Sequence, residues 1–297
     1  MSVSWRCASM ALAIIAYLAF AGAGYAAAPV AVGPAPPQEL TGDTSTGIPT
    51  TLEGGSAKTL VFAEEFDLIS WGSRWSGTRS SAYESDQTNL KDCKLDRLTA
   101  SAVTVEDGKA TFTARPGNDA AENGQQSWTT GLLTTEGTTE SFRVRSGDFL
   151  EARVKLPEER GAWPALWTWK DGSNEIDVFE YHPDNPDLLE LSNGIRSAGL
   201  DYRDTNTISP GRWITIGVQF GVDTNDWYLN GKKVYSDLRG VDSTWSAYLI
   251  LNLSISAGEW HPAPDGAKPI SFTTDYLRVW RRSNPVPGEE ASERFQW

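Results

Sequence analysis

Three features of this sequence predict an all-β fold, an antiparallel β-sandwich of the jelly-roll form. Its apolar stretches are short and are bounded by Gly, Pro, Asn and Asp. Two pairs of alternating stretches enclose Asp107-Gly108 and Asn230-Gly231, dipeptides that favour two-residue hairpin turns. No stretch sustains a capped 3.6-residue period over three turns. Repeated over about 225 residues, this pattern builds a sandwich or barrel.

Taken in chain order, Leu60–Phe66 is the first predicted strand. Val103-Thr104-Val105 and Thr111-Phe112-Thr113-Ala114 form a hairpin about Asp107-Gly108, and Phe149–Leu156 and Ile214–Phe220 follow as single strands. Trp227-Tyr228-Leu229 and Lys233-Val234-Tyr235 form the second hairpin, and Tyr248–Ile255 and Ile270–Trp280 close the set. No internal repeat is present.

Outside these strands the composition changes. Arg6 precedes the apolar run Met10 to Phe20, and small residues follow through Ala28. That is the order of a secretory signal peptide over 1–28, with cleavage expected within 23–28. The run is also short for the ~20 residues of a membrane span. Residues 29–57, rich in Pro, Ala, Gly and Thr, read as a flexible linker. Residues 58–283 then form the folded domain and 284–297 a tail. Export, to the medium or a periplasm, is the expected localisation, with no membrane contact after cleavage and a monomeric state.

The balance of 26 basic against 39 acidic residues gives a net charge of −13. No Lys/Arg cluster supplies the basic face that a nucleic acid needs. A neutral partner fits this field best. Trp occurs 13 times, and all but Trp5 lie beyond residue 70. An indole offers a sugar ring a flat apolar face, and it suits a β-sheet core equally. Cysteine occurs twice, at Cys7 and Cys93. With Cys7 in the removed segment, neither an intrachain disulfide nor a Cys-rich metal site is expected.

The sequence contains no His-Glu-x-x-His pair, no Gly-x-Ser-x-Gly elbow and no Gly-Lys-Ser/Thr phosphate loop. With only His182 and His261, mechanisms needing several imidazoles are not expected. Carboxylates remain. Glu175, Asp177 and Glu180 follow the tryptophan-rich segment 161–169 and are separated by Ile, Val and Phe, which places them on a strand. With 39 acids in 297 residues, that acid spacing arises by chance about 0.7 times, so its setting carries more than the spacing. A solvated strand face or a calcium site are the alternatives.

Glu175 and Asp177 share a strand face, whereas Glu180 has the opposite parity. A β-bulge between Asp177 and Glu180 would bring it back. The two Glu carboxyls would then lie roughly 5–6 Å apart, near the spacing of a retaining glycosidase. Glu175 would attack the anomeric carbon, and Glu180 would protonate the leaving oxygen and later activate water. Asp177 between them would spread their pKa values.

These residues resemble glycoside hydrolase family 16, in its laminarinase-like branch with a bulged Glu-x-Asp-x-x-Glu strand. The resemblance extends over most of 60–282 and includes Phe62-Ala63-Glu64-Glu65-Phe66-Asp67, Thr130-Gly131-Leu132-Leu133-Thr134-Thr135, Trp163-Pro164-Ala165-Leu166-Trp167, Trp227-Tyr228-Leu229-Asn230-Gly231 and Thr274-Asp275-Tyr276-Leu277-Arg278-Val279-Trp280. It implies a concanavalin A-like jelly roll with a substrate cleft on its concave sheet. It also implies Glu175 as nucleophile, Glu180 as acid/base and Asp177 as helper. Trp163 and Trp167, on a tryptophan loop, match rings that line sugar subsites, and Trp260 is similar to a further cleft aromatic. His182 is a candidate substrate contact, although alternation alone leaves its direction open.

No cofactor is required by this chemistry. Family members often carry a structural calcium ion, and Glu65 and Asp275 match strands that help hold it, a surface acid being the alternative for each. Residues 75–98 do not line up with the branch's binding residues, and 188–193 lack its histidine. The implied substrate is a neutral β-1,3 or β-1,3-1,4-glucan, with agarose as runner-up. A transglycosylase of the same family, or a non-catalytic carbohydrate-binding jelly roll, are the other readings. Asn252-Leu253-Ser254 fits a glycosylation pattern but falls in a predicted strand.

Overall fold

The computed structural model describes residues 58–83 and 88–282. The expected signal peptide, linker and tail, and Cys7, lie outside the described residues. Cys93 is buried.

Two sheets face each other. The larger contains β1 (Lys58–Glu64), β2 (Asp96–Leu98), β3 (Val103–Glu106), β4 (Lys109–Ala120), β5 (Gln126–Thr130), β8 (Phe149–Lys155), β13 (Trp213–Gln219), β14 (Asp226–Leu229), β15 (Lys232–Ser236) and β17 (Ile270–Arg282). The smaller contains β6 (Leu132–Thr134), β7 (Val144–Arg145), β9 (Ala162–Trp169), β10 (Ile176–Glu180), β11 (Leu188–Asn193), β12 (Ala198–Arg203) and β16 (Ser246–Ile255). The smaller sheet runs in the order β12-β11-β10-β9-β16-β6, so β10 sits inside it. All strand pairs are antiparallel except β2 with β5. This is the expected jelly-roll sandwich.

Both dipeptide hairpins form, as β3–β4 and β14–β15. Asp107 and Gly108 have φ of 50° and 67°, and Asn230 and Gly231 have 48° and 76°. Positive φ at both central residues is what a type I′ turn demands. The segment 163–167 is not a loop but part of β9, paired on both sides. Its proline concealed this, because Pro usually marks an edge strand. Pro164 is tolerated in the interior: its carbonyl accepts the Tyr181 N–H at 3.2 Å, and its missing donor falls opposite Leu253.

Alternation divides the smaller sheet. Leu166, Leu249, Leu251 and Leu253 enter the main core between the sheets. Ala165, Trp167 and Ile250 point the other way and pack beneath Tyr83 in a separate cluster. The outer face of β9 and β16 is thus covered by Tyr83, Lys94 and Leu98, and it is there that the polar groups converge.

Candidate active site

The expected bulge is present. Against β9, Asp177 pairs with Trp167 but Glu180 with Ala165, and against β11 they pair with Ser192 and Glu190. Three steps along β10 thus match two on each neighbour. The side chains follow: Ile176 and Val178 enter the core, and then so do Phe179 and Tyr181. The parity switch leaves Glu175, Asp177 and Glu180 on the outer face. A bulge also frees backbone groups from the ladder. Here the Asp177 carbonyl receives the buried Trp227 indole N–H from β14 at 3.0 Å.

Each carboxylate has a distinct setting. Asp177 is buried and accepts a hydrogen bond from the Ser192 hydroxyl. Burial first, then the charges of Glu175 and Glu180, hold its pKa well above the usual aspartate range. Glu180 accepts the Trp163 Nε1–H at 2.8 Å. Burial and the Glu190 charge push it up to about 7, with Lys94 and the indole bond opposing. Glu175 is raised by burial, and Lys94 pulls it back down. Desolvation on one face raises all three acids above their ordinary ranges, and they titrate as a set.

Lys94 was not foreseen. It is 8% exposed, and its ammonium lies 4.6 Å from the Trp163 ring, 5.7 Å from Trp167 and 5.5 Å from Tyr83. A bridge to Ser256 of the chain after β16 anchors it. It comes from the stretch 75–98 that had no counterpart in the family pattern, and a lone lysine in a loop carries no signal of its own. Asn252, also unforeseen, accepts the Trp167 indole N–H at 2.8 Å. A polar residue at the outward parity of an apolar strand was the available clue. Asn252 is fully buried, and its amide donates to Tyr83 and Ser254, so it is closed to glycosylation.

The structure brings Trp163 beside Glu180 and Trp167 opposite Asp177. Both rings are more than nine-tenths buried, with the Lys94 ammonium over them. Trp260 is 48% exposed, its ring 6.3 Å from that of Trp163. His182 has the same parity as Glu180 but is only 2% exposed, covered by His261 and Trp163. It has little surface to give a sugar and instead backs Trp163.

Glu65 and Asp275 do not fit a calcium shell. Arg278 clasps Glu65 with two bonds of 2.7 Å, and Arg153 pairs with Asp275. Calcium takes six to eight oxygens, whereas guanidinium groups already hold these two carboxylates.

No protein-family model matches the chain. It is 30% identical to the endo-1,3-1,4-beta-glycanase EglC of Rhizobium meliloti over 196 residues, covering 61% of this chain and 40% of that protein. It is 24% identical over 223 residues to ExsH of the same organism, an endo-1,3-1,4-beta-glycanase, covering 72% and 47%. The chain therefore spans less than half the length of either. The laminarinase catalytic domain from Thermotoga maritima superposes with a TM-score of 0.65 at 23% identity, covering 76% of this chain and 99% of that one. These two relatives are thus endo-1,3-1,4-beta-glycanases, and the fold shared with the laminarinase domain is the jelly roll.

Proposed function

We propose that this chain is a secreted, retaining endo-β-glycosidase with a neutral β-1,3 or β-1,3-1,4-glucan as substrate. The observation that carries the reading is the bulge in β10, which turns Glu180 onto the face of Glu175 and Asp177. That EglC and ExsH are endo-1,3-1,4-beta-glycanases favours the glucan over agarose. A binding module of the same fold would have no use for three mutually repelling, desolvated acids.

In the mechanism, Glu175, drawn toward its ionised form by Lys94, attacks the anomeric carbon and forms a glycosyl ester. Glu180, protonated up to about pH 7, donates its proton to the leaving glycosidic oxygen. The Trp163 indole fixes the Glu180 carboxyl in place. Glu180, now ionised, takes a proton from the water that cleaves the ester, and the configuration is retained. Asp177 holds a proton between the two glutamates and limits their mutual repulsion. Trp260 offers an exposed ring face to a sugar beyond the scissile bond.

Incubation with laminarin, barley β-glucan, agarose and κ-carrageenan tests this, with Glu175→Gln as the blank. Short oligosaccharides from a β-glucan, first seen by NMR as the β-anomer, are expected. Initial release of the α-anomer would refute retention. Binding to one polymer without cleavage would replace the enzyme with a binding module.

A further inference from the structure

Beside the three carboxylates lies a second cluster for which the proposed chemistry has no use. His182 follows β10, Asp184 occupies the next turn, and His261 arrives from the chain after β16. The two imidazoles stack with centroids 3.4 Å apart and planes 4° from parallel. His261 Nδ1 is 3.1 Å from Asp184 Oδ2, and its Nε2 is 3.4 Å from Glu190 Oε1. His182 is 2% exposed, and its Nδ1 has no hydrogen-bond partner. Buried polar atoms are nearly always partnered, and an orphan imidazole nitrogen calls for an explanation.

We propose that His182, Asp184 and His261 form a binding site for a divalent transition-metal ion of the zinc class. One donor atom from each lies within 4.8 Å of the others. Zinc bonds of ~2.0–2.2 Å to N and O place tetrahedral ligands about 3.3 Å apart, so completing the shell takes a closure of roughly 1–1.5 Å together with a swing of the His261 ring out of its parallel stack on His182, because a metal lies in the plane of each imidazole that binds it. The donors able to make that movement are the exposed Asp184 and the less buried His261, while His182 is fixed against Trp163, 4.9 Å away between centroids. Two imidazoles and one carboxylate favour zinc over calcium, which prefers oxygen alone. Glu190, against the far nitrogen of His261, is the carboxylate that would orient that ring, as outer partners of zinc-bound histidines do. Water takes the fourth position. The site stands apart from the glycosidase reading, since none of its ligands is one of the three acids.

The test is calorimetric titration of the untagged, chelator-dialysed protein with zinc chloride, beside Asp184→Asn and His261→Gln. One zinc per chain is expected, with affinity falling in each variant by more than the ~10–100-fold that loss of an outer partner costs. Calcium chloride should give no saturable heat. His182→Gln is a third arm, and melting curves confirm that the two surface variants fold. Absence of saturable zinc binding, wild-type affinity in both surface variants, or calcium binding as tightly as zinc would each overturn the site.

Discussion

Asp177 and Asp237 are equally buried, each 7% exposed, and the protein treats them in opposite ways. Asp237 accepts hydrogen bonds from the backbone N–H groups of Asn225, Arg239 and Gly240 and from the side-chain amides of Asn193 and Asn225. Burial works against its charge, but these donors prevail and hold its carboxyl below the usual range. Because Asn193 ends β11 and Asn225 precedes β14, the ionised carboxylate ties one sheet to the other. Asp177 receives one hydroxyl and two neighbouring acids, and is driven the other way. Among the described residues, no cation forms an ion pair with Glu175, Asp177 or Glu180. A carboxylate supplied with donors stabilises the fold. A carboxylate denied them is kept protonated, and the fold bears the cost.

The largest effect should come from breaking the acid set. Glu180→Gln should lower kcat/KM by about 10²–10⁴-fold, and Glu175→Gln by at least as much, in assays on barley β-glucan with circular dichroism unchanged. Azide should partly rescue Glu175→Ala and give the inverted glycosyl azide, because a small nucleophile fits where the carboxylate stood. Full activity of Glu175→Ala would sink the assignment.

Next in size is Asp237→Asn, which turns an amide toward donors that need an acceptor. A loss of about 2–4 kcal/mol in urea unfolding is expected. The wild-type contribution of Asp237 should be complete above the unfolded carboxylate pKa of ~3.9 and fade as pH falls through its lower folded value.

Glu180 gives the opposite sign. Its folded pKa of about 7 exceeds the unfolded ~4.3, so its favourable contribution is complete below ~4.3 and is lost as pH rises through 7. Glu180→Gln should therefore be more stable than wild type at pH 8, on the order of 1–3 kcal/mol, and show little gain at pH 4. Equal melting curves at both pH values would mean that Glu180 is not perturbed.

The smallest effect sharpens the role of Lys94. Lys94→Met removes the cation that lowers Glu175, so the acidic limb of kcat/KM should move to higher pH. Lys94→Arg should restore it. A fall in kcat/KM with no movement of that limb would make Lys94 a packing residue only.

Several of these features could be read in the chain. Asp107-Gly108 and Asn230-Gly231 specify their own turns, because positive φ is a local demand that few residue pairs meet. The parity of 175, 177 and 180 required the bulge, since a strand's side chains alternate strictly. The tryptophan segment 163–167 misled, because Pro164 carries a loop signal that the neighbouring strands override. Residues 75–98 gave no reading, yet they place Tyr83 and Lys94 over the outer face.

The sequence by itself determined the strands, the two hairpins and the strand that carries the three acids, since each depends on residues within a few positions of one another. Only the tertiary structure decided which acids would be neutral. The donors of Asp237 come from 193, 225, 239 and 240, and the cation that acts on the three acids among the described residues comes from 94. A carboxyl's pKa depends on its solvation and on charges within several ångströms, and folding gathers those neighbours from distant parts of the chain.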